Sequence, residues 1–439
     1  MANTLFELPS RSTTKQSDLL VAKKSKANVT KSPITVKGGG GIVNKISQIK
    51  TLVDNSLGQY KEEYQVIMNE EVLHDFITEC IGNGYISIDT ETDGLDPLQN
   101  TLAGICPYTY GQKGSYIPIN HISYITQEKV SGQLSIDFIV SEFNRLLEKR
   151  PDIDMFNAPF DIRFLRANGL RDIYCTWDGY LAAKVLNENE PTHNLKRLHN
   201  KYCLGGKGDA FRFDDLFKGI PFTQIPINTG YLYAAHDPVI TTEYCDYQRQ
   251  YLREDNPRQD MKDLYWVFKN IEMPCVKVIC DMEDVGIAFD TEYNSTLQEK
   301  YHKMLDEKIQ VFYECCEKYS DAIARYKLNN VDNKLDDPIN ISSPTQLSVL
   351  FYDILNVGVI DKKNPRGTGV EILSKIDNPI AKAILDYRGV EKLLSTYIDK
   401  LPECINPNDG RIHCKFNIYG AKTSRMSSND PNLNLRACA

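Results

Sequence analysis

The sequence has no uninterrupted apolar run approaching the roughly 18 residues that a membrane-spanning helix needs. Its first residues, Met-Ala-Asn-Thr-Leu-Phe-Glu, lack the apolar core of a signal peptide. The 12 cysteines are scattered along the chain, with neither a CxxC pair nor a Cys/His cluster at zinc spacing. We therefore expect a cytoplasmic protein whose cysteines are reduced thiols.

A surplus of positive charge is also missing, since the formal net charge at pH 7 is -8. Because phosphate neutralisation dominates the affinity of broadly cationic proteins for nucleic acids, this balance argues against a surface that is cationic throughout. Local strips of basic residues are still compatible with this net negative charge. An acidic pocket that binds divalent cations would add negative charge and still handle a polyanion through the metal.

The length of 439 residues favours two domains and a tail over a single core. Residues 1–41 place lysines among Ser, Thr and Asn, which predicts a disordered basic tail, either a solvated leader or a weak DNA tether. Residues 42–260 alternate strand and helix patterns, which indicates an α/β domain. Residues 261–439 are dominated by long helical patterns.

The periodicity predicts particular elements in both parts. Strands are expected at 64–68, 85–91, 102–107, 114–119 and 153–156, with helices beginning at Ile42 and spanning 70–81, 136–148 and 160–168. Farther on, Ser343-Pro-Thr-Gln346 has the pattern of a helix N-cap with a capping-box glutamine. A last long helix is expected at 380–398.

Acidic side chains stand at three strand or helix ends. Asp89 and Glu91 lie two residues apart on one strand, so both project from the same face, where they repel each other unless a cation neutralises them. The segment Asn157-Ala-Pro-Phe-Asp161 follows a strand, and its proline places Asp161 in a first helical turn. Taken singly, these acids could be exposed strand ends or partners of a helix dipole.

The third motif is Tyr233-Ala-Ala-His-Asp237. In a continuous helix its tyrosine and aspartate would share a face. Alternatively, Pro238 occupies a first helical position and makes Asp237 the N-cap. Both geometries keep Tyr233 and Asp237 close together.

In this order and at these separations, the three motifs resemble those of the DEDD exonucleases. The similarity is greatest to the proofreading domain of bacterial DNA polymerase I and of related bacteriophage family A polymerases, and it extends over most of residues 64–251. The segments Ile88-Asp-Thr-Glu-Thr-Asp-Gly-Leu-Asp-Pro97 and His193-Asn-Leu-Lys196 are part of it. The resemblance implies a ribonuclease H-like fold, a mixed sheet flanked by helices.

The resemblance also implies roles for individual residues. Asp89, Glu91, Asp161 and Asp237 would hold two Mg²⁺ or Mn²⁺ ions, and Tyr233 would position the attacking water. Such ions, about 3.5 to 4 Å apart, activate the nucleophile and stabilise the leaving oxygen. One branch of the superfamily uses a histidine five residues before the last aspartate, where this chain has Leu232, so His236 is interpreted as a bystander.

Two further residues would contact the DNA end if the resemblance holds. Leu95 corresponds to a residue that wedges against the terminal base, although it could equally be a core leucine. Asn157 would touch the end of the strand.

The second half resembles the beginning of a family A polymerase domain, in segments 272–288, 340–347, 387–397 and 410–413. These would be thumb helices and the start of the palm, or else an ordinary helical domain. The segment 423–433 resembles a family motif that contacts the DNA backbone. Its implied contacts are Thr423, Arg425, Ser427, Ser428 and Asn432.

After Leu433 the resemblance stops, before the palm acids that nucleotidyl transfer requires. We therefore expect a 3′-5′ exonuclease that acts on single-stranded 3′ ends and primer-template duplex in DNA replication, as the N-terminal portion of a family A polymerase. Polymerisation by this chain alone is not expected, and a second polypeptide is one way to complete the domain. The alternatives are a non-catalytic DNA-binding fragment and a DEDD exoribonuclease, which would not carry thumb-like segments.

Overall fold

The structure is a computed structural model that describes residues 41–207, 217, 219–330, 335–420, 425–429 and 431. Apart from Gly41, the predicted basic tail lies outside the described residues. The chain divides into two compact units, Met1–Asp284 with Phe416–Ser427, and Val285–Lys415 with Ser428–Ala439. Among the described residues, no helix combines the length and apolarity needed to cross a membrane.

A six-stranded mixed sheet forms the centre of the first unit. Its strands are β1 (Tyr64–Val66), β2 (Tyr85–Thr92), β3 (Leu102–Tyr108), β4 (Gly114–Pro118), β5 (Asp152–Met155) and β6 (Trp177–Asp178), in the order β1-β4-β3-β2-β5-β6. Strands β2, β3 and β4 are antiparallel neighbours, while β5 runs parallel to β2, β6 to β5 and β1 to β4. The predicted α/β class is confirmed, and β2 lies inside the sheet with neighbours on both edges.

Helices accompany the strands of this sheet. They are α1 (Ile42–Leu57), α2 (Glu70–Asn83), α3 (Ile136–Leu147), α4 (Ala158–Ala167), α5 (Gly179–Leu186), α6 (Leu195–Tyr202), α7 (Ile227–Ala234), α8 (His236–Arg249), α9 (Gln259–Val267) and α10 (Met273–Val285). Local sequence explains their ends: the Asn69 side chain accepts the N–H groups of Glu71 and Val72 at the start of α2, and Gly84 closes it with a φ of 61°. The predicted elements of this unit are present with ends shifted by a few residues.

The second unit is mainly helical, as expected. Its elements are β7 (Ile287–Ala288), α11 (Thr291–Glu317), α12 (Ser320–Asn329), α13 (Pro344–Ser348), a π-helical turn (Val349–Ile354), α14 (Val370–Leu373), α15 (Pro379–Leu393), a second π-helical turn (Leu394–Ile398) and β8 (Arg411–Ile412), which pairs antiparallel with β7. Short strands at Lys415–Asn417 and Ser427–Asn429 complete the described chain. The core of this unit includes Phe312, Leu347 and Phe351.

The predicted capping box of α13 is only half correct. Ser343 is the N-cap and its hydroxyl accepts the Gln346 N–H at 3.4 Å. The Gln346 side chain does not return to the cap, because its Oε1 accepts the Asn340 N–H at 2.8 Å. The glutamine therefore fastens the incoming loop to the helix.

Helix α10 has one buried and one exposed apolar face. Val276 is 3% exposed, whereas Val278, two residues on, is 54% exposed. Cys275, Val278 and Met282 follow one another at spacings of three and four residues, so they lie on one side of the helix, and Ile271 precedes them in a π-helical turn (Phe268–Glu272). We call these four residues the apolar stripe.

The two valines of α10 predict opposite responses to a charge. Val276→Asp should lower the free energy of unfolding by about 2 kcal/mol or more, since it buries an unpaired carboxylate. Val278→Asp should change it by no more than about 0.5 kcal/mol, and it should reduce the binding of the dye ANS to exposed apolar surface. Chemical denaturation and dye fluorescence check both. Equal destabilisation by the two variants, or unchanged dye binding in Val278→Asp, would contradict the orientation of α10.

Candidate active site

Asp89 and Glu91 project from the same face near the end of β2, as the strand periodicity predicts. On the neighbouring strand, Asp89 is paired with Cys106 and Glu91 with Gly104. One carboxylate oxygen of each acid and the Cys106 sulfur all lie within 4.8 Å of one another. Glu91 is buried, so the two acids do not form an ordinary exposed strand end.

Asp161 joins them from the first turn of α4. The helix begins at Ala158 with Pro159 next, which is the start that the sequence predicts. Asp161 is 2% exposed, and its Oδ1 accepts a hydrogen bond from the Thr90 hydroxyl at 2.7 Å. Since Thr90 stands between Asp89 and Glu91 on β2, this bond ties the third acid to the strand that carries the first two.

Tyr233 and Asp237 are brought to the same place by two consecutive helices. Helix α7 ends at Ala234 and α8 begins at His236, so Asp237 is the second residue of α8. The alternative in which Asp237 is the N-cap is wrong, because the N-cap is Ala235, two residues earlier. The reason is that Pro238 is tolerated anywhere in a first turn, where no N–H is needed for an intrahelical bond.

Asp161 and Asp237 lie near enough to Asp89 and Glu91 to raise the pKa of both acids. Burial raises the pKa of Asp89 well above its ordinary value, and repulsion from Asp161, Asp237 and Glu91 adds to the effect. Burial and repulsion from Asp237 likewise raise the pKa of Glu91. Burial raises the pKa of Asp161 to about 7, although the hydrogen bonds from Thr90 oppose the change. Carboxylates that influence one another in this way are close neighbours.

Lys196 is a site residue to which the sequence assigned no role. Its Nζ donates a hydrogen bond to Asp237 Oδ2 at 2.6 Å and lies 3.9 Å from the centroid of the Tyr233 ring. Lys196 is 8% exposed; burial disfavours its charge, but Asp237 and Tyr233 outweigh burial and raise its pKa. The signal available was a lysine between Leu195 and Leu198 in the first turn of α6, a position that faces the core.

The pocket fits a hard divalent cation. Four carboxylates share the pocket with Lys196, which leaves a net negative charge in a buried place. Lys196 Nζ lies 2.6 Å from Asp237 Oδ1 as well, so its one positive charge is shared by both oxygens of that carboxylate. Carboxylate oxygens are the ligands that Mg²⁺ and Mn²⁺ prefer. The Cys106 thiol is a poorer ligand for such ions, because burial and the neighbouring acids raise its pKa and keep it protonated.

His236 is engaged on the side of the site that carries β1. Its Nδ1 shares a hydrogen bond of 2.5 Å with the Tyr64 hydroxyl, and its ring lies 5.3 Å from that of Tyr60. Burial, with Lys196 nearby, lowers the pKa of His236 to about 3, so the ring is neutral at ordinary pH. These contacts agree with its interpretation as a bystander.

The predicted DNA contacts differ in exposure. Leu95 is 66% exposed, so the alternative in which it is a core leucine is wrong: it follows the end of β2 and projects from the loop. Asn157 is exposed, and its φ of 69° is a left-handed conformation that asparagine tolerates. Arg425 is exposed, Ser427 is half-buried and Ser428 is buried, while Thr423 and Asn432 lie outside the described residues.

Comparison with known proteins places each half of the chain. Residues 64–252 match the family model described as 3′-5′ exonuclease, and residues 310–435 match the model of DNA polymerase family A. DNA polymerase I of Synechocystis sp. is 32% identical over 79% of this chain and 33% of its own length. DNA polymerase I of Borreliella burgdorferi is 28% identical over 86% of this chain and 38% of its own length. The chain thus spans little more than a third of these relatives.

A solved structure supports the fold. The polymerase domain of Pol1 from M. smegmatis, in complex with DNA primer-template and dNTP, matches with a TM-score of 0.62 over 84% of this chain and 55% of that one, at 18% identity. The relatives named here are bacterial, and they give no support to a bacteriophage source. The chain is therefore similar to the 3′-5′ exonuclease family over residues 64–252, to DNA polymerase family A over residues 310–435, and to bacterial DNA polymerase I over most of its own length.

Proposed function

We propose that this chain hydrolyses DNA from the 3′ end with divalent metal ions held by Asp89, Glu91, Asp161 and Asp237. The observation that carries the proposal is the acidic pocket, in which a carboxylate oxygen of Asp89 and one of Glu91 lie within 4.8 Å of each other and the nearby Asp161 and Asp237 add to the repulsion. Two Mg²⁺ or Mn²⁺ ions suit these donors. When bound, such ions lower the pKa of a coordinated water and stabilise charge on the departing 3′ oxygen.

The protein's own side chains then orient the nucleophile. Burial, opposed by Lys196, raises the pKa of Tyr233, so its hydroxyl stays protonated at neutral pH. Tyr233 therefore acts by hydrogen bonding to the attacking water, and it does not act as a general base. Lys196 holds Asp237 and keeps a positive charge beside the carboxylates.

The substrate we propose is a single-stranded DNA 3′ end delivered by a frayed or mismatched primer terminus. Leu95 is exposed four residues after Glu91, where an apolar side chain can press against a terminal base. Asn157 is exposed directly before the helix that carries Asp161, where its amide can bond to the strand end. We assign this exonuclease domain to residues 42–260, in a protein of the cytoplasm that acts in DNA replication.

Residues 261–439 we assign to an incomplete polymerase domain, with Thr423, Arg425, Ser427, Ser428 and Asn432 as contacts to the DNA backbone. We further propose that a second polypeptide packs on the apolar stripe, since Ile271, Val278 and Met282 are 41% exposed or more. The dye-binding comparison of Val278→Asp tests the exposed surface on which this proposal depends.

Asp89→Ala should lower the rate of nucleotide release by about 100-fold or more, because metal ligands act in the transition state as well as in binding. The assay uses 5′-labelled single-stranded DNA, mismatched duplex and RNA of the same sequence, with Mg²⁺. Asp75→Ala, an exposed acid on α2, is the matched control and should retain the parental rate. A wild-type chain that binds DNA without shortening it would identify a binding fragment, and a preference for RNA would identify an exoribonuclease.

Tyr233→Phe should slow hydrolysis by about 10-fold or more while leaving metal binding intact, because it removes only the hydroxyl that positions the water. The stabilisation by Mg²⁺, measured as the shift in melting temperature, should equal that of the parent. Tyr231→Phe, on the same helix, should change neither quantity. Loss of the Mg²⁺-dependent shift in Tyr233→Phe would mean that the tyrosine role is misassigned.

Stabilisation by Mg²⁺ should increase as the pH rises from about 5 to 8. The folded-state pKa of Asp161 is raised from 3.8 to about 7, so between these values the folded chain holds a proton that the unfolded chain has lost. Without metal, this group therefore lowers the free energy of unfolding as the pH rises through that window. Bound metal replaces the proton, and the difference in melting temperature between Mg²⁺ and EDTA should widen accordingly. A constant difference from pH 5 to 8 would refute this account.

A further inference from the structure

One buried carboxylate outside the set of four binds the starts of two helices. Asp178, the last residue of β6, is 0% exposed. Its Oδ1 accepts the N–H of Asn157 at 2.9 Å and that of Tyr180 at 2.8 Å, and its Oδ2 accepts the N–H of Ala158 at 2.9 Å. A longer contact of 3.4 Å reaches the N–H of Leu181.

Main-chain N–H groups stabilise the negative charge of the buried Asp178 carboxylate. Burial raises the pKa of Asp178, and the four N–H groups oppose that change. The structure gives its carboxylate hydrogen bonds from four main-chain donors of the described residues, and helix N-termini are the places where such donors stand unpaired. The Asp178 side chain is thus the N-cap of α5, and it also accepts hydrogen bonds from the N–H groups at the start of α4.

The N-terminus of helix α4 is capped by Asp178, a residue of the adjacent strand β6. Its own N-cap, Asn157, is in the left-handed region with a φ of 69° and makes no side-chain capping bond. Pro159 has no N–H to offer. The first donors of α4 are therefore those of Asn157 and Ala158, and Asp178 accepts both.

The position of α4 matters because Asp161 is its fourth residue. A side chain three residues from a helix start moves with that start, and the Thr90 bond to Asp161 is a direct side-chain tie between β2 and α4. Asp178 also holds the backbone of Asn157, the candidate contact for the DNA end. One carboxylate thus fixes a metal ligand and a substrate contact together.

We propose that Asp178 is a positioning residue for the exonuclease site, which sets Asp161 and Asn157 by capping α4 from the adjacent strand. The proposal rests on the proposed metal-dependent nuclease function. Asp178 touches neither substrate nor metal in this account. Its loss should change metal affinity and turnover more than it changes folding.

Asp178→Ser separates the two caps. Serine is a good N-cap, so it should keep α5, but its single short oxygen cannot also reach Asn157 and Ala158. The Mg²⁺ concentration for half-maximal rate should rise, and kcat should fall, each by about 10- to 100-fold, the usual effect of removing a group that orients a metal ligand. Mn²⁺ binding measured by calorimetry should weaken by a similar factor, without reference to activity. Asp178→Asn, which keeps the shape but loses one acceptor, should show a smaller effect in the same direction.

Asn69→Ala is the matched control, since it removes two capping bonds from the exposed start of α2. It should lower the melting temperature as much as Asp178→Ser does and leave Mn²⁺ affinity, kcat and KM unchanged. Parental Mn²⁺ affinity and kcat in folded Asp178→Ser would overturn the proposal. An insoluble Asp178→Ser chain would also count against it, because α5 should survive. An inactive wild-type chain would instead refute the nuclease function itself, which keeps the two failures distinct.

Discussion

Mutual repulsion among four carboxylates, of which Glu91 and Asp161 are buried and Asp89 and Asp237 half-buried, is the constraint on which the rest of this site depends. Water would screen such charges at a surface, but Glu91 and Asp161 are nearly inaccessible, so their charges need a partner inside the protein. Lys196 supplies one positive charge and binds Asp237. The negative charge that Lys196 does not neutralise is of the kind that a hard divalent cation would neutralise. The surrounding fold keeps these carboxylates together although they repel.

The sheet makes this arrangement possible. A strand inside a mixed sheet is held on both edges, so Asp89 and Glu91 keep one orientation although they repel. Asp161, Tyr233 and Asp237 come from helices that meet the end of this strand. Asp161 is tied to this strand by the hydrogen bond from Thr90, while Lys196 binds Asp237 and lies against the ring of Tyr233. The acids are therefore positioned by groups that do not themselves bind metal.

The sequence predicted the acids because their signals are local. A two-residue spacing on a strand, a proline at a helix start and a tyrosine four residues before an aspartate can each be recognised without the fold, and their order carried the family resemblance. The contact of Lys196 with Asp237 and that of Asp178 with Ala158 had no comparable signal. These partners lie 41 and 20 residues away in the chain, so only tertiary packing reveals them, although the bonds of Asp178 to Tyr180 and Leu181 are those of a local N-cap.

Element types were predicted well, and details of termini were not. The choice between a core and an exposed Leu95 depended on where the loop after β2 turns, which periodicity does not specify. The position of Asp237 depended on whether Pro238 begins the helix or stands within its first turn, and both are sterically allowed. The Gln346 side chain accepts a hydrogen bond from Asn340 in the preceding loop instead of completing the capping box.

The most direct test of the central claim is a crystal structure of the chain grown with Mn²⁺, with the ions located by anomalous scattering. The account predicts anomalous peaks bounded by the carboxylates of Asp89, Glu91, Asp161 and Asp237, with Asp237 Oδ1 as a ligand. A pocket in which these oxygens bind no ion at saturating Mn²⁺ would contradict it.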